Sequence, residues 1–60
     1  MDITITINTD NAAFEDLTGE VARILRDAAK TIDGNRWFDA GYSFPLRDYN
    51  GNEVGYVSVR

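Results

Sequence analysis

Three oxygen-bearing side chains stand at alternate positions in the segment RDYNGNEV. They are Asp48, Asn50 and Asn52, and a helix-loop-helix calcium loop begins with ligands at its first, third and fifth positions. Such a loop also requires a glycine at the sixth position and a bidentate glutamate at the twelfth. Counted from Asp48, those two positions hold Glu53 and Val59. The calcium interpretation therefore fails, and the Asn-Gly pair of this segment instead predicts the turn of a β-hairpin.

Few other residues could support catalysis. The chain contains neither histidine nor cysteine, so a hydroxyl nucleophile would lack its usual activating base, and thiolate metal sites are excluded. Two carboxylate pairs, Glu15 with Asp16 and Asp48 with Glu53, have the composition used in acid–base catalysis. The first pair falls where acids stabilise a helix start and the second flanks a turn, so structural roles are favoured. We expect neither an enzyme nor a bound cofactor.

The charge of the chain argues against nucleic acid as its main partner. Ten acidic residues outnumber six basic ones, giving a formal charge of −4, and an acidic surface repels phosphates. No apolar run has the length of a membrane span, and no signal peptide is visible. The sequence therefore predicts a cytoplasmic protein without membrane contact. Its 60 residues make a single domain, residues 1–60, near the lower size limit for independent folding.

Alternating patterns predict three strands. Residues 2–8 alternate isoleucine with polar residues, which is typical of a strand with one buried side. Residues 53–60 form a final short strand. Residues 37–46 also alternate, and the side chains expected to share one face of that strand are Phe38, Ala40, Tyr42, Phe44 and Leu46.

A helical pattern covers residues 18–34. Thr18 is the expected N-cap, and Gly34 is expected in the left-handed position that ends many helices. Before it, the chain is expected to make a turn or helical lead-in with Phe14 and Leu17 tucked inward. The apolar stripe at helical spacing consists of Val21, Ile24, Leu25, Ala28, Ala29 and Ile32.

The hairpin has two candidate registers. A two-residue turn at the Asn-Gly pair sets Phe44 opposite Val57 and builds one apolar face, but it places Asp48 opposite Glu53. A three-residue loop with a glycine bulge instead pairs Arg47 with Glu53 and leaves Val57 outside, which would require a covered second face. Burying a valine is worth about 1.5–3 kcal/mol, whereas a cross-strand charge pair contributes roughly 0.2–1 kcal/mol. We therefore expect the two-residue turn.

These elements predict an α+β fold with the order β-α-β-β. The helix has one apolar stripe, so it covers one face of the sheet. Pro45 lacks an N–H group and prefers an edge strand, which places residues 53–60 in the centre of the sheet. The expected architecture is a two-layer sandwich in which one helix packs on a three-stranded antiparallel sheet with a C-terminal hairpin.

The other face of this sheet is left without cover. Protein-binding surfaces are often moderately apolar and carry aromatic side chains, so this face is expected either to bind another protein, or a second copy to form a homodimer, or to be an ordinary solvated face of an antiparallel sheet. The side chains expected there are Thr4, Thr6, Ser43, Pro45, Arg47, Val54, Tyr56 and Ser58, with Trp37 at the end of the face.

Three segments carry a resemblance to known proteins. They are DNAAFED, EVARILR and LRDYNGNEVG, and they occur in this order along most of the chain. Together they resemble a family of very short, mostly uncharacterised proteins encoded in tailed bacteriophage and prophage genomes. The resemblance implies synthesis in the bacterial cytoplasm during infection. Small phage proteins of this kind include host-takeover and counter-defence factors, among them anti-CRISPR proteins, which act by binding.

The expected function is that of a phage accessory protein that binds a host or phage protein, as an inhibitor or an adaptor. Aromatic residues and arginine dominate interface energetics, so the expected partner-binding residues are Trp37, Arg47, Tyr49 and Tyr56. For Trp37 a position in the core is an equally simple expectation. The alternatives are a nucleic-acid-associated protein that uses the open sheet face and a minor virion or assembly component.

Overall fold

The computed structural model describes all 60 residues as a three-stranded sheet with one helix on one of its faces. Strand β1 pairs with β3, and β3 pairs with β2, antiparallel throughout, so the strand order is β1-β3-β2. This confirms the predicted α+β fold and the edge position of the strand that contains Pro45. The elements are β1 (Ile3–Ile7), a short 3-10 helix (Ala12–Phe14), α1 (Leu17–Asp33), β2 (Ser43–Arg47) and β3 (Glu53–Val59).

Helix α1 begins one residue before the predicted start. The carboxylate of Asp16 accepts the N–H of Gly19 at 3.2 Å and serves as N-cap, so the prediction of Thr18 as the cap is wrong. An acid at this position both bonds a free N–H group and faces the positive end of the helix dipole. The prediction for Gly34 is wrong as well, because it ends the helix at φ −86° rather than in the left-handed region.

The lead-in before α1 forms a single 3-10 turn. The side-chain oxygen of Asn11 accepts the N–H of Ala13 at 2.8 Å and caps this turn. Phe14 is buried as predicted, but Leu17 is exposed because it opens α1 beyond the cover of the sheet. The short turn therefore adds one aromatic side chain to the core.

The core lies between α1 and the strands β2 and β3. Ile24 of the helix and Val57 of the central strand are fully buried. Phe44 faces Val57 and Leu46 faces Gly55 across the sheet, which is the register predicted from valine burial. The cluster of buried apolar side chains consists of Ala13, Phe14, Ile24, Ala28, Leu46, Val54 and Val57.

The hairpin turn combines both candidate registers. The N–H of Asp48 donates to the carbonyl of Asn52 at 2.9 Å, which closes a three-residue loop in which Gly51 has a left-handed φ of 84°. The expected two-residue turn is therefore wrong at the tip. A register shift after Leu46 leaves Val54 as an extra residue, and Arg47 faces Glu53. This β-bulge lets the valine-burying register and the Arg47–Glu53 pairing coexist, because it absorbs the offset of one residue.

The segment before β2 differs from the predicted strand. Residues 37–42 form turns, and regular pairing begins only at Ser43. The rings of Phe38 and Phe44 each lie 6.0 Å, centroid to centroid, from the ring of Tyr42. Trp37 is 81% exposed, so its alternative placement in the core is wrong. Packing among three aromatic rings, together with backbone hydrogen bonds of Gly41 and Tyr42 to Val59, holds this end of the sheet.

Gly55 lies where the backbones of β1 and β3 approach most closely. A Cβ atom there would overlap the carbonyl oxygen of Thr6. We expect Gly55→Ala to lower the free energy of unfolding by about 1–3 kcal/mol, the usual cost of overpacking, as measured by urea denaturation.

Gly34→Ala is the matched control. At Gly34 the nearest atom to an added Cβ is the Lys30 carbonyl oxygen at 3.5 Å, an ordinary contact, and φ is negative. Equal stability of the two variants would contradict the close approach at Gly55.

Candidate functional site

The uncovered face of the sheet is a continuous surface, which we call the open face. At its centre the register sets Thr6 and Pro45 on either side of Tyr56, whose side chain is 46% exposed. The residues nearest Tyr56 are uncharged, and the only charged residues of this side are Arg47 and Glu53, which face each other at the hairpin end. The open face consists of Thr4, Thr6, Ser43, Pro45, Arg47, Glu53, Tyr56 and Ser58.

One residue expected on the open face lies elsewhere. Val54 is buried in the core, because the bulge breaks the alternation of β3 at that residue. The bulge leaves β2 regular, so Arg47 lies on the same side of the sheet as Pro45 and faces Glu53, and its Nη1 donates to the carbonyl of Gly51 at 3.2 Å. The open face consequently lacks the predicted valine and carries one pair of opposite charges at its hairpin end.

The four predicted partner-binding residues do not form one cluster. Tyr56 is central to the open face, and Arg47 lies at the margin of the sheet. Trp37 precedes β2 and Tyr49 follows it, and both are exposed. Because five strand residues span about 17 Å, Trp37 and Tyr49 lie near opposite ends of the sheet. A partner that contacted all four would have to span the whole length of β2.

A second candidate site lies at the hairpin tip, where Asp48 is buried. Its Oδ1 accepts the backbone N–H groups of Asn50 and Asn52, both at 2.9 Å. Its Oδ2 accepts the side-chain amides of Asn11 at 3.0 Å and Asn52 at 3.3 Å. The carboxylate thus holds the tip in shape and joins it to the lead-in before α1.

Glu20 makes the connection between the tip and the helix. It is buried, and its two oxygens accept Nε and Nη2 of Arg23 at 2.7 and 3.0 Å. One of them also accepts the N–H of Tyr49 at 2.9 Å. Arg23 in turn donates to the carbonyl of Arg47 at 3.1 Å and pairs with Asp27 at 2.9 Å. We call the bonded set of Asn11, Glu20, Arg23, Asp48 and Asn52 the tip network.

Both buried carboxylates of the tip network stay ionised by hydrogen bonding. The side chain of Arg23, helped by the N–H of Tyr49, lowers the pKa of Glu20 against the opposing effect of burial. Burial works to raise the pKa of Asp48, but the bonds from Asn52, Asn50 and Asn11 together outweigh it and lower that pKa. A general acid or base for neutral pH needs the opposite shift, so this geometry favours a structural role.

The same contacts explain why the alternating spacing of Asp48, Asn50 and Asn52 does not form a calcium site. Asp48 and Asn52 bond each other, and the Asn50 backbone donates into the carboxylate. A cation requires these oxygens to face it as free acceptors, whereas here N–H groups occupy them. The alternating oxygen-bearing residues therefore build the turn itself.

A groove of about 300 Å³ runs between α1 and β2. That volume is at the lower end of what small-molecule sites use. Of its charged lining residues, Arg23 and Asp27 pair with each other, and Arg47 and Asp48 bond groups of the hairpin tip. Because its polar groups already have partners, the groove offers little for recognising a ligand.

Sequence reasoning identified Asp48 but missed Glu20 as its neighbour in the tip network. Glu20 lies one helical turn before Ile24 on the buried side of α1, a position that would usually hold an apolar residue. The available signal was Arg23 three residues later, since pairs at this spacing meet on a helix surface. The tertiary contact to Tyr49 has no signal in the sequence.

No protein family model, curated protein or solved structure matches this chain. The structure contains no helix with the length and apolar character required to cross a bilayer.

The tip network predicts acid sensitivity. Both carboxylates have a lowered pKa in the folded state, so each stabilises the fold above its unfolded-state pKa of about 4. That stabilisation is lost as the pH falls through the lower folded-state pKa. We expect the urea midpoint to decline below about pH 4. Asp48→Asn should be less stable at neutral pH and less sensitive to acid, because its amide would meet the donors of Asn11 and Asn52.

Glu53→Gln is the matched control, since Glu53 is exposed in the same hairpin. Because Glu53 faces Arg47, the variant should lose no more at neutral pH than the roughly 0.2–1 kcal/mol of a cross-strand charge pair. A variant Asp48→Asn with an unchanged urea midpoint at neutral pH would show that the tip network contributes nothing to stability.

Proposed function

We propose that this protein acts by binding another protein through the open face rather than by catalysis. The observation that carries the proposal is an uncovered sheet face with Tyr56 half-exposed among uncharged residues at its centre. Tyrosine offers a large contact area and a hydroxyl group with few rotatable bonds, and it is frequent among residues that dominate binding energy.

The rigidity of the surrounding structure supports this role. Tyr56 stands on the central strand, which is paired on both sides. The tip network and the aromatic packing around Tyr42 hold the two ends of the hairpin. A surface that is ordered before binding loses little conformational entropy when it binds.

The composition of the open face favours a protein partner over nucleic acid. A nucleic-acid surface gains most of its affinity from lysine and arginine at phosphates, and the open face has a single basic residue, Arg47, which faces Glu53. Arg47 at the margin can anchor one polar contact. Trp37 and Tyr49 are further exposed aromatic side chains that a partner could contact.

In biological terms, we propose a phage accessory protein that binds a host or phage protein in the bacterial cytoplasm. The resemblance of three sequence segments to short phage and prophage proteins supports this setting. Inhibition of a host or defence protein fits a small domain whose largest specific feature is a binding surface. A component of the virion or of its assembly is the alternative outcome of the experiment below.

The experiment places a photo-crosslinking benzoylphenylalanine at Tyr56 and treats bacterial lysate with the protein. We expect one crosslinked host protein that unmodified protein competes away. Tyr56→Arg and Thr6→Arg competitors should compete at least about tenfold more weakly, since each introduces an unpaired charge into a desolvated interface.

Lys30→Ala is the control competitor, because Lys30 is exposed on the helix away from the sheet. It should compete as the unmodified protein does. Equal competition by all variants would exclude the open face, and crosslinks confined to virion proteins in infected cells would favour the assembly role. Loss of crosslinking after nuclease treatment would indicate a nucleic-acid bridge instead.

A further inference from the structure

Strand β1 presents an unpaired backbone along one edge of the sheet. Asp2 and Arg60 exchange two backbone hydrogen bonds at 2.8 and 2.9 Å, and Asn8 donates to Val54 at 2.7 Å. Even-numbered residues of β1 therefore direct their N–H and C=O groups toward β3. Because this direction alternates along an antiparallel strand, Ile3, Ile5 and Ile7 direct theirs outward, away from the sheet.

The opposite edge of the sheet is protected against strand addition. Val59 donates to the carbonyl of Tyr42 at 2.9 Å, and the same alternation turns Pro45 outward, where its missing N–H interrupts the donor row. The β-bulge further distorts that side of the hairpin. Strand β1 has neither proline, charge nor bulge among its five residues, which are the devices that normally block edge pairing.

The side chains of β1 are also left uncovered. Ile3 and Ile5 pair across the sheet with the buried valines of β3 and so lie on its helix-bearing face. They are nevertheless 56% and 49% exposed. The prediction that this side of the strand is buried holds only for Ile7, which is half-buried.

The position of α1 explains this exposure. Arg23 donates a hydrogen bond to the backbone carbonyl of Arg47 in β2. The flank of the helix that carries Arg23 therefore lies toward β2. Leu25 lies about 200° around the helix from Arg23, on the flank toward β1, and it is exposed. An apolar strip of Ile3, Ile5 and Leu25 therefore runs beside the unpaired edge.

We propose that two copies of this chain pair through β1 in antiparallel fashion, with the two-fold axis at Ile5. Ile5 then faces Ile5 of the second copy, and Ile3 faces Ile7. These three residue pairs exchange about six backbone hydrogen bonds, since all the outward groups belong to these residues. The product is a continuous six-stranded sheet with both helices on the same face.

A second copy fits this edge better than an unrelated strand does. The sequence ITITI reads the same in both directions, so antiparallel pairing sets isoleucine against isoleucine and Thr4 against Thr6. Asp2 then faces Asn8, and no like charges meet. The two helices flank the isoleucines from both sides, and the isoleucines of the two copies contact each other.

The monomer exposes more surface than is typical for a folded chain of its mass, as expected if a second copy covers part of it. The chain exposes 4336 Å², whereas folded chains of this mass expose about 3,900 Å². The surplus is about 400 Å², and an interface of standard size covers about 800 Å² on each partner. The inference does not depend on the proposed function, and pairing through β1 leaves the open face free.

The absence of cysteine makes disulfide crosslinking a clean test. In the proposed dimer the two Ile5 Cα atoms lie about 5.5 Å apart, within the range of about 4.4–6.8 Å for a disulfide. Under mild oxidation Ile5→Cys should form a covalent dimer at least about tenfold faster than the controls, because pairing raises the effective thiol concentration.

Two single-cysteine controls make the test specific. Tyr56→Cys has nearly the same exposure but lies on the open face. Ile3→Cys lies on the same strand and face, but in the proposed register the two Ile3 positions are about 13 Å apart. Circular dichroism of each reduced variant verifies its fold.

Sedimentation of the unmodified protein supplies an independent measurement. The mass should rise from 6.7 kDa toward twice that value as the concentration approaches about 1 mM, where small interfaces associate. A constant mass of 6.7 kDa would overturn the proposal. Faster crosslinking of Tyr56→Cys would assign the dimer to the open face instead, and equal rates for all three variants would exclude the β1 register.

Discussion

The fold depends on one buried carboxylate at the tip of its hairpin. Asp48 accepts two backbone and two side-chain N–H groups, and these bonds require the three-residue loop that Gly51 closes. That loop offsets the pairing at the tip by one residue, and the bulge at Val54 restores the register in which Leu46 and Val57 are buried. In a 60-residue chain without disulfides, a polar cluster with every donor satisfied contributes order that a small apolar core cannot supply alone.

The same cluster determines where the helix lies. Glu20 bonds the N–H of Tyr49 and Arg23 bonds the carbonyl of Arg47, so the start of α1 is tied to the hairpin. The helix consequently covers β2 and β3 and leaves the isoleucines of β1 half-exposed. Ile3 and Ile5 of β1 are thus exposed because the hydrogen bonds of Glu20 and Arg23 hold the helix toward the hairpin, at the opposite edge of the sheet.

Two uncovered surfaces follow from this arrangement, and they suit different partners. The open face displays an aromatic side chain on a rigid sheet, which fits recognition of another protein. The β1 edge displays a self-complementary backbone row, which fits a second copy of the chain. If both are used, the dimer presents two copies of Tyr56 on one continuous sheet, and a dimeric target would gain affinity through simultaneous contacts.

The sequence by itself determined the order of elements, the antiparallel sheet, the presence of one amphipathic helix and the edge position of Pro45, although Leu25 and Ala29 of the predicted stripe are exposed. These features follow from local periodicity and from the missing N–H of proline, which act wherever the residues are placed. The valine-burying register was also predictable, because burial outweighs a charge pair. Only the tertiary structure decided the helix cap at Asp16, the three-residue loop with its bulge, the buried role of Glu20 and the exposure of Ile3 and Ile5. Each of these depends on a hydrogen-bond partner or a covering element distant in the chain, and periodicity carries no information about such contacts.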